Sequence, residues 1–369
     1  MRVTRLVGLS LLVLPGGCQR STAETSPFTT ASLMTSAADA SSGSASGGAD
    51  ASSSSTGGEL PTGSGGGSES ASTSTTSTTS TGAVSTFDVG EVQDFGPGKP
   101  AGCDGKIDFL FVISRYGGMG YFQAQLLDAF PKFIDTIEAK FSGFDYHIMV
   151  IDADVEWGLP QCEEKCPLPC VVPGYPCDYT PTTCDLTIGA GTVYPVGGDA
   201  ANKPCPIDGG RRYMTAEQTD LKATFACAAQ VGSSGRDKMG EALTAAMDPS
   251  INGPGGCNEG FLRDDALLMV TLISNTFDQD VKPFGSKGTP ETWAAAVLAA
   301  KHDDPEAIVM LSILEPGQPE CHPEDRTCQM VKMFPYSLLA DVWLSDYGPA
   351  FDQATDLIAE ACAGFVPPG

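Results

Sequence analysis

From residue 103 onward the chain switches between short unbroken apolar runs and longer stretches in which apolar residues recur every three or four positions. Residues 107–113 (IDFLFVI) form a continuous, partly β-branched run, the pattern of a strand covered on both faces of a sheet. The next stretch places Phe122, Leu126, Phe130, Phe133, Ile134, Ile137 and Phe141 on one face, which predicts an amphipathic helix of about five turns. Residues 146–152 (YHIMVID) read as a second strand, 215–231 and 238–247 as helices, and 266–273 (ALLMVTLI) as the most apolar strand. A helix over 290–300 follows, with Thr289 as N-cap, Pro290 at the first helical position and Glu291 at the positive end of the dipole. Residues 308–314 form another strand and 349–362 a closing helix. Strand and helix in alternation imply right-handed crossovers and an α/β fold with a mostly parallel central sheet, helices on both faces.

The first hundred residues contribute nothing to such a core. Residues 1–18 carry Arg2 and Arg5, an apolar run over 6–14 and small residues up to Cys18, the shape of a secretory signal too short to span a bilayer. This segment resembles a bacterial lipoprotein signal, in which Cys18 would be lipidated; Pro15 stands where that pattern usually has Leu. Residues 19–100 are dominated by Ser, Thr, Gly and Ala. Such a tract cannot offset an ordering entropy of about 1–2 kcal/mol per residue. It is expected to be a disordered tether, reaching about 50 Å by the scaling of flexible linkers.

The cysteines change the picture of the compartment. Of thirteen, setting Cys18 aside leaves an even number, namely Cys103, Cys162, Cys166, Cys170, Cys177, Cys184, Cys205, Cys227, Cys257, Cys321, Cys328 and Cys362. In an exported chain they are disulfide candidates. Six of them fall within residues 156–212, an irregular insertion rich in Pro and Gly in the span 103–365. Close thiolate spacing also suits zinc, but export favours oxidation. A loop this long needs staples to stand in for a core.

The succession IDFLFVI, SRYGGMG, QAQLLDAFPKFIDTIE and YHIMVID, followed later by GRDKMGEAL and GFLRDDALLMVTLISNTFDQD, resembles a von Willebrand factor A (VWA) domain. With its lipoprotein-type start and Ser/Thr/Gly tether, the arrangement resembles cysteine-rich surface lipoproteins of myxobacteria. The resemblance implies a VWA/Rossmann-like fold and a metal-ion-dependent adhesion site built on Asp-x-Ser-x-Ser, with a Thr and an Asp from two further loops. Here Ser114 stands in place of the Asp, Tyr116 and Gly118 in place of the two Ser, Ser233 or Ser234 in place of the Thr, and Asn275 in place of the second acid. Magnesium is normally held by at least one or two carboxylates. Two missing carboxylates remove several kcal/mol of attraction, each unit-charge pair at 4 Å being worth about 4 kcal/mol at a dielectric of 20. Arg115 adds a repelling charge. Asp278 and Asp280 are the acids nearest to compensate. The expectation is a loop that keeps the turn and has lost the metal, with Arg115, Tyr116 and Tyr121 free to meet a partner's carboxylate directly.

No signature of catalysis emerges. The three histidines, His147, His302 and His322, sit in neither a zinc-protease motif nor a nucleophile elbow, and the Gly-rich NGPGGC over 252–257 lacks the Lys-Ser/Thr of a phosphate loop. A formal net charge of −25 opposes nucleic acid and anionic lipid. The sequence therefore points to a non-enzymatic surface lipoprotein without a cofactor, exported and anchored through its N-terminal lipid, with the outer membrane as the expected location. Its partner is an extracellular or envelope protein or glycan. The alternatives are a metal-assisted adhesin using displaced acids and a structural envelope protein.

Overall fold

The computed structural model describes residues 103, 105–154, 156–159, 162, 172, 174–279, 285–315 and 321–368. The expected signal and tether (1–18 and 19–100) lie outside the described residues, as do Cys18, Cys166, Cys170 and Asp280.

The apolar runs assemble into one six-stranded sheet. Its strands are β1 (Lys106–Ile113), β2 (Asp145–Asp152), β3 (Met214–Thr215), β4 (Leu267–Ile273), β5 (Ile308–Leu314) and β6 (Tyr336–Asp341). They lie in the order β3-β2-β1-β4-β5-β6, parallel throughout except for β3, which runs antiparallel to β2. This is the doubly wound, VWA/Rossmann-like α/β class expected from the sequence, and its strand order reverses between β1 and β4. Every residue of β4 and β5 is buried. Each large apolar side chain so covered contributes roughly 1.5–3 kcal/mol.

One face of the sheet is covered by α1 (Met119–Lys140), α2 (Leu221–Ala229) and α7 (Gly348–Gly364), the other by α3 (Met239–Ala246), α5 (Pro290–Ala299) and α6 (Arg326–Val331); α4 (Pro249–Asn252) is a short turn after α3. The periodic face of α1 is the one buried, and Phe133 meets Phe109 of β1 edge-on at 5.6 Å between ring centroids. At α5 the anticipated cap is present: Thr289 and Thr292 form a reciprocal capping box, with Pro290 in the first turn.

Three elements differ from the sequence reading. The helix expected over 215–231 is confined to Leu221–Ala229, because Asp220 adopts φ 48° and its side chain caps the helix by accepting from the Ala223 amide. The residues before it form the edge strand β3. The strand β6 went unpredicted because YSLLAD has no sustained apolar run; as an edge strand all six of its residues are only half-buried. The helix α6 is too short to show a period.

Ten described cysteines are disulfide-bonded. Cys103–Cys362 joins the start of the described domain to α7, Cys184–Cys257 and Cys205–Cys227 tie the insertion to the body, and Cys321–Cys328 closes a short loop. The insertion is thus held by bonds reaching outward rather than by staples within itself alone. Buried Asn258 adds to this, donating to the Gly189 carbonyl at 2.8 Å and accepting from the Gly191 amide at 2.9 Å.

The Cys103–Cys362 bond closes the longest of these loops, 259 residues apart in sequence. Replacing both cysteines by Ala is expected to lower stability by about 2–5 kcal/mol, read as a reduced denaturant midpoint with the fold otherwise retained by circular dichroism.

Candidate functional site

The carboxyl ends of β1 and β4 lie side by side, and the ladder carries each strand one residue further. The Ser114 amide donates to the Ile273 carbonyl at 2.9 Å, and the Ser274 amide to the Ile313 carbonyl at 3.1 Å. Ser114 and Ser274 are therefore fixed where the strand order reverses, and both are fully buried. Each hydroxyl oxygen accepts from the amide two residues on, Tyr116 at 3.1 Å and Thr276 at 3.2 Å, which leaves a hydroxyl hydrogen to donate elsewhere.

Asp237, from the turn that leads into α3, faces both. The Ser274 hydroxyl lies 3.1 Å from its Oδ1 and 3.0 Å from the Thr276 carbonyl, and the Ser114 hydroxyl favours the charged form of the same carboxyl. Its Oδ2 is buried without a partner. Burial, reinforced by the nearby negative charges of Asp278 and Asp325, pushes the Asp237 carboxyl up to about 8, and the two serine bonds only partly offset this. At neutral pH it is held predominantly as the neutral acid.

The loops that follow β1 and β4 are also tied to each other. Gly118 adopts φ 87°, in the left-handed region, and the Asn275 side chain donates to the Gly117 carbonyl at 2.9 Å. A Cβ on Gly118 would lie 3.2 Å from the Asn275 amide nitrogen, so both its conformation and its closeness favour glycine.

Several expected residues have other duties. Arg115 does not face solvent: it is 1% exposed and turned under the insertion. One guanidinium nitrogen donates to the Glu156 carbonyl at 2.7 Å and lies 3.5 Å from Asp152; the other donates to the Val196 carbonyl at 2.9 Å. Burial raises Asp152 to about 6, with Arg115 opposing the shift. The expectation that Arg115 meets a partner's carboxylate is overturned, because its charge is consumed in docking the insertion. Ser233 and Ser234 also turn toward the insertion. Ser233 donates to Asp199, and Ser234 accepts from the Gly198 amide at 3.1 Å. The third-turn residue that faces Ser114 is Asp237 instead. In sequence its signal is an acid at the entry of GRDKMGEAL, whose Met239, Ala242 and Leu243 point into the core. Tyr116 and Tyr121 do reach the surface, at 46% and 62% exposure.

The aspartate expected to compensate is saturated. Asp278 accepts from the Gly240 amide at 3.0 Å, from the Ser286 amide and hydroxyl at 2.8 and 2.5 Å, and from Arg326 at 3.2 Å. The donor set therefore does not fit a divalent cation of the kind the VWA resemblance implies. Asp237 is the carboxyl that faces both serines, a cation would have to expel its proton, and the oxygens of Asp278 are occupied. Among the described residues no group of three or more His, Cys, Asp or Glu is placed to hold a metal ion.

The histidines are engaged elsewhere. His147 pairs with the Phe261 carbonyl at 2.9 Å, near Asp108 in β1. His302 lies 3.5 Å from Asp264, and His322 stacks on Phe277.

No family model matches the chain, and no curated protein matches it. Solved structures it is similar to include proximal thread matrix protein 1 (PTMP1) from the mussel byssus, with 14% identity and a TM-score of 0.35, covering 70% of this chain and 49% of that one. A PTMP1 structure with a zinc-occupied MIDAS motif gives the same values, 14% identity, TM-score 0.35 and coverage of 70% and 49%. A third PTMP1 structure gives 11% identity and a TM-score of 0.33, covering 71% of this chain and 47% of that one. This chain spans about half the length of those proteins.

The protonated Asp237 has a measurable consequence. Because its value in the fold, about 8, lies above the ordinary 3.8, its stabilising contribution is complete at acid pH and is lost as pH rises toward 8. Asp237→Asn removes that titration. Between pH 5 and pH 8 the wild type is expected to lose roughly 3–4 kcal/mol more than the variant, read from urea midpoints at the two pH values.

Proposed function

We propose that this chain is a non-enzymatic cell-surface recognition protein, exported and held to the bacterial envelope by a lipid on Cys18. In this reading its VWA-like domain binds an extracellular or envelope protein or glycan through the carboxyl end of the sheet, without a bridging cation. The disulfides support an oxidising, extracytoplasmic setting. Among the described residues no helix is long and apolar enough to cross a membrane.

The observation that carries the reading is the neutral triad of Ser114, Asp237 and Ser274 at the switch point, next to the exposed rings of Tyr116 and Tyr121. Open α/β sheets bind at this crevice. Here it offers aromatic surface and backbone polar groups where the resembled family offers a cation. Tyrosines exposed in this way suit a recognition face, because one ring supplies apolar area and a hydrogen-bonding tip together.

The metal-assisted alternative has one observation in its favour, the unpartnered Oδ2 of Asp237. Calorimetry of the mature chain with magnesium, manganese and calcium at pH 7 separates the two. Neither heat nor a rise in Tm at millimolar cation is expected, and saturable binding of any of the three would establish the adhesin reading instead. The recognition face itself is checked on arrayed glycans and envelope proteins. Tyr116→Ser with Tyr121→Ser should weaken capture about tenfold, a loss of about 1.4 kcal/mol. Undiminished capture places the binding elsewhere.

A further inference from the structure

The exposed large apolar side chains are not scattered evenly. Tyr121, at the start of α1, is 62% exposed, while Trp343 and Leu344, in the turn after β6, are 59% and 43% exposed. Tyr121 and Trp343 both pack edge-on against buried Phe122, with ring centroids 5.2 and 4.9 Å away. Both exposed rings are thus anchored on one buried phenylalanine at the carboxyl end of the sheet. Phe122 fixes both rings from beneath, so little side-chain entropy remains to be lost when something covers them.

The charge around this surface is predominantly acidic. The turn that carries Trp343 and Leu344 also carries Asp341 and Asp346. Asp341 accepts from the Trp343 amide at 2.8 Å, which fixes the tryptophan relative to the acid. The first three turns of α1, from Met119 to Asp128, contain no Lys or Arg. The basic groups that flank this part of α1 have partners: Arg115 is buried beneath the insertion, and Lys132 pairs with Asp352 at 2.8 Å and also feels the charge of Asp346. Behind this stands a formal net charge of −25.

We propose that the surface of Tyr121, Trp343 and Leu344 is a docking site for a lysine- or arginine-bearing polypeptide segment. The inference rests on the recognition reading above and names its partner class. A cation above an aromatic face gains from the ring quadrupole. The acids on the same turn steer it there and disfavour acidic partners. The aliphatic stem of Lys or Arg covers Leu344 while its head group stays near Asp346.

The test uses the mature full chain and three decapeptides, of lysine, of arginine and of glutamate, at physiological salt. Binding is read by fluorescence anisotropy of the labelled peptide. The cationic peptides should bind and the glutamate peptide should not. Trp343→Ala and, separately, Tyr121→Ser should each weaken binding at least fivefold, and the pair at least tenfold, although neither change alters net charge. Trp343→Phe should retain most of the affinity, and Leu186→Ala, an exposed apolar residue of the insertion, all of it. Equal binding by wild type and the double variant would reduce the effect to diffuse attraction by the acidic chain and overturn the proposal. Absence of cationic binding also overturns it. Concentration-dependent dimers in sedimentation that vanish in the double variant overturn it in favour of a second copy as occupant. If array capture depends on Tyr121 while the cationic peptides fail, the recognition reading survives and the partner class assigned here is wrong.

Discussion

An aspartate taken out of water must find a cation, a set of donors or a proton, and the carboxyl end of this sheet is organised by how its acids meet that requirement. Asp278 takes Arg326 and three further donors. Asp152 takes Arg115 as its charge partner. Asp237 has two serine hydroxyls and no cation, and burial beside other acids resolves the shortfall by keeping its proton. The switch point between β1 and β4 is therefore close to neutral, although the chain as a whole is strongly acidic.

The insertion belongs to the same arrangement. Its backbone carbonyls at Glu156 and Val196 accept from Arg115, and its Gly198 and Asp199 engage Ser234 and Ser233. Arg115 of the first turn and Ser233 and Ser234 of the third are thereby engaged in holding a stretch without regular structure. Disulfides to Cys227 and Cys257 fix the same segment from the other side. Arg115, Ser233 and Ser234 thus serve to dock the insertion.

Much of the fold was legible because fully covered strands read as unbroken apolar runs. Residues 107–113, 146–152 and 308–314 fall on observed strands, 266–273 begins one residue before β4, and the Thr289–Pro290 cap is where local chemistry places it. The edge strands β3 and β6 were not legible, since a two-residue strand has no period and a half-buried one has no apolar run. At the site, the resemblance to a VWA domain pointed to Ser114, Gly118 and Asn275 as members of the switch-point loops. It could not show that Arg115 turns inward, because that depends on an insertion whose path no periodicity reveals. Asp237 was missed for a related reason. An acid ahead of an apolar helix reads as an ordinary solvated start, and only the meeting of three turns shows that it is buried.

The most direct test of this account is the ionisation of Asp237 itself, followed by carbon-13 NMR of its side-chain carboxyl with assignment by loss of the signal in Asp237→Asn. The account predicts a titration well above neutral that millimolar magnesium leaves unmoved. A carboxyl already ionised at pH 6, or one whose titration falls sharply when magnesium is added, would contradict it.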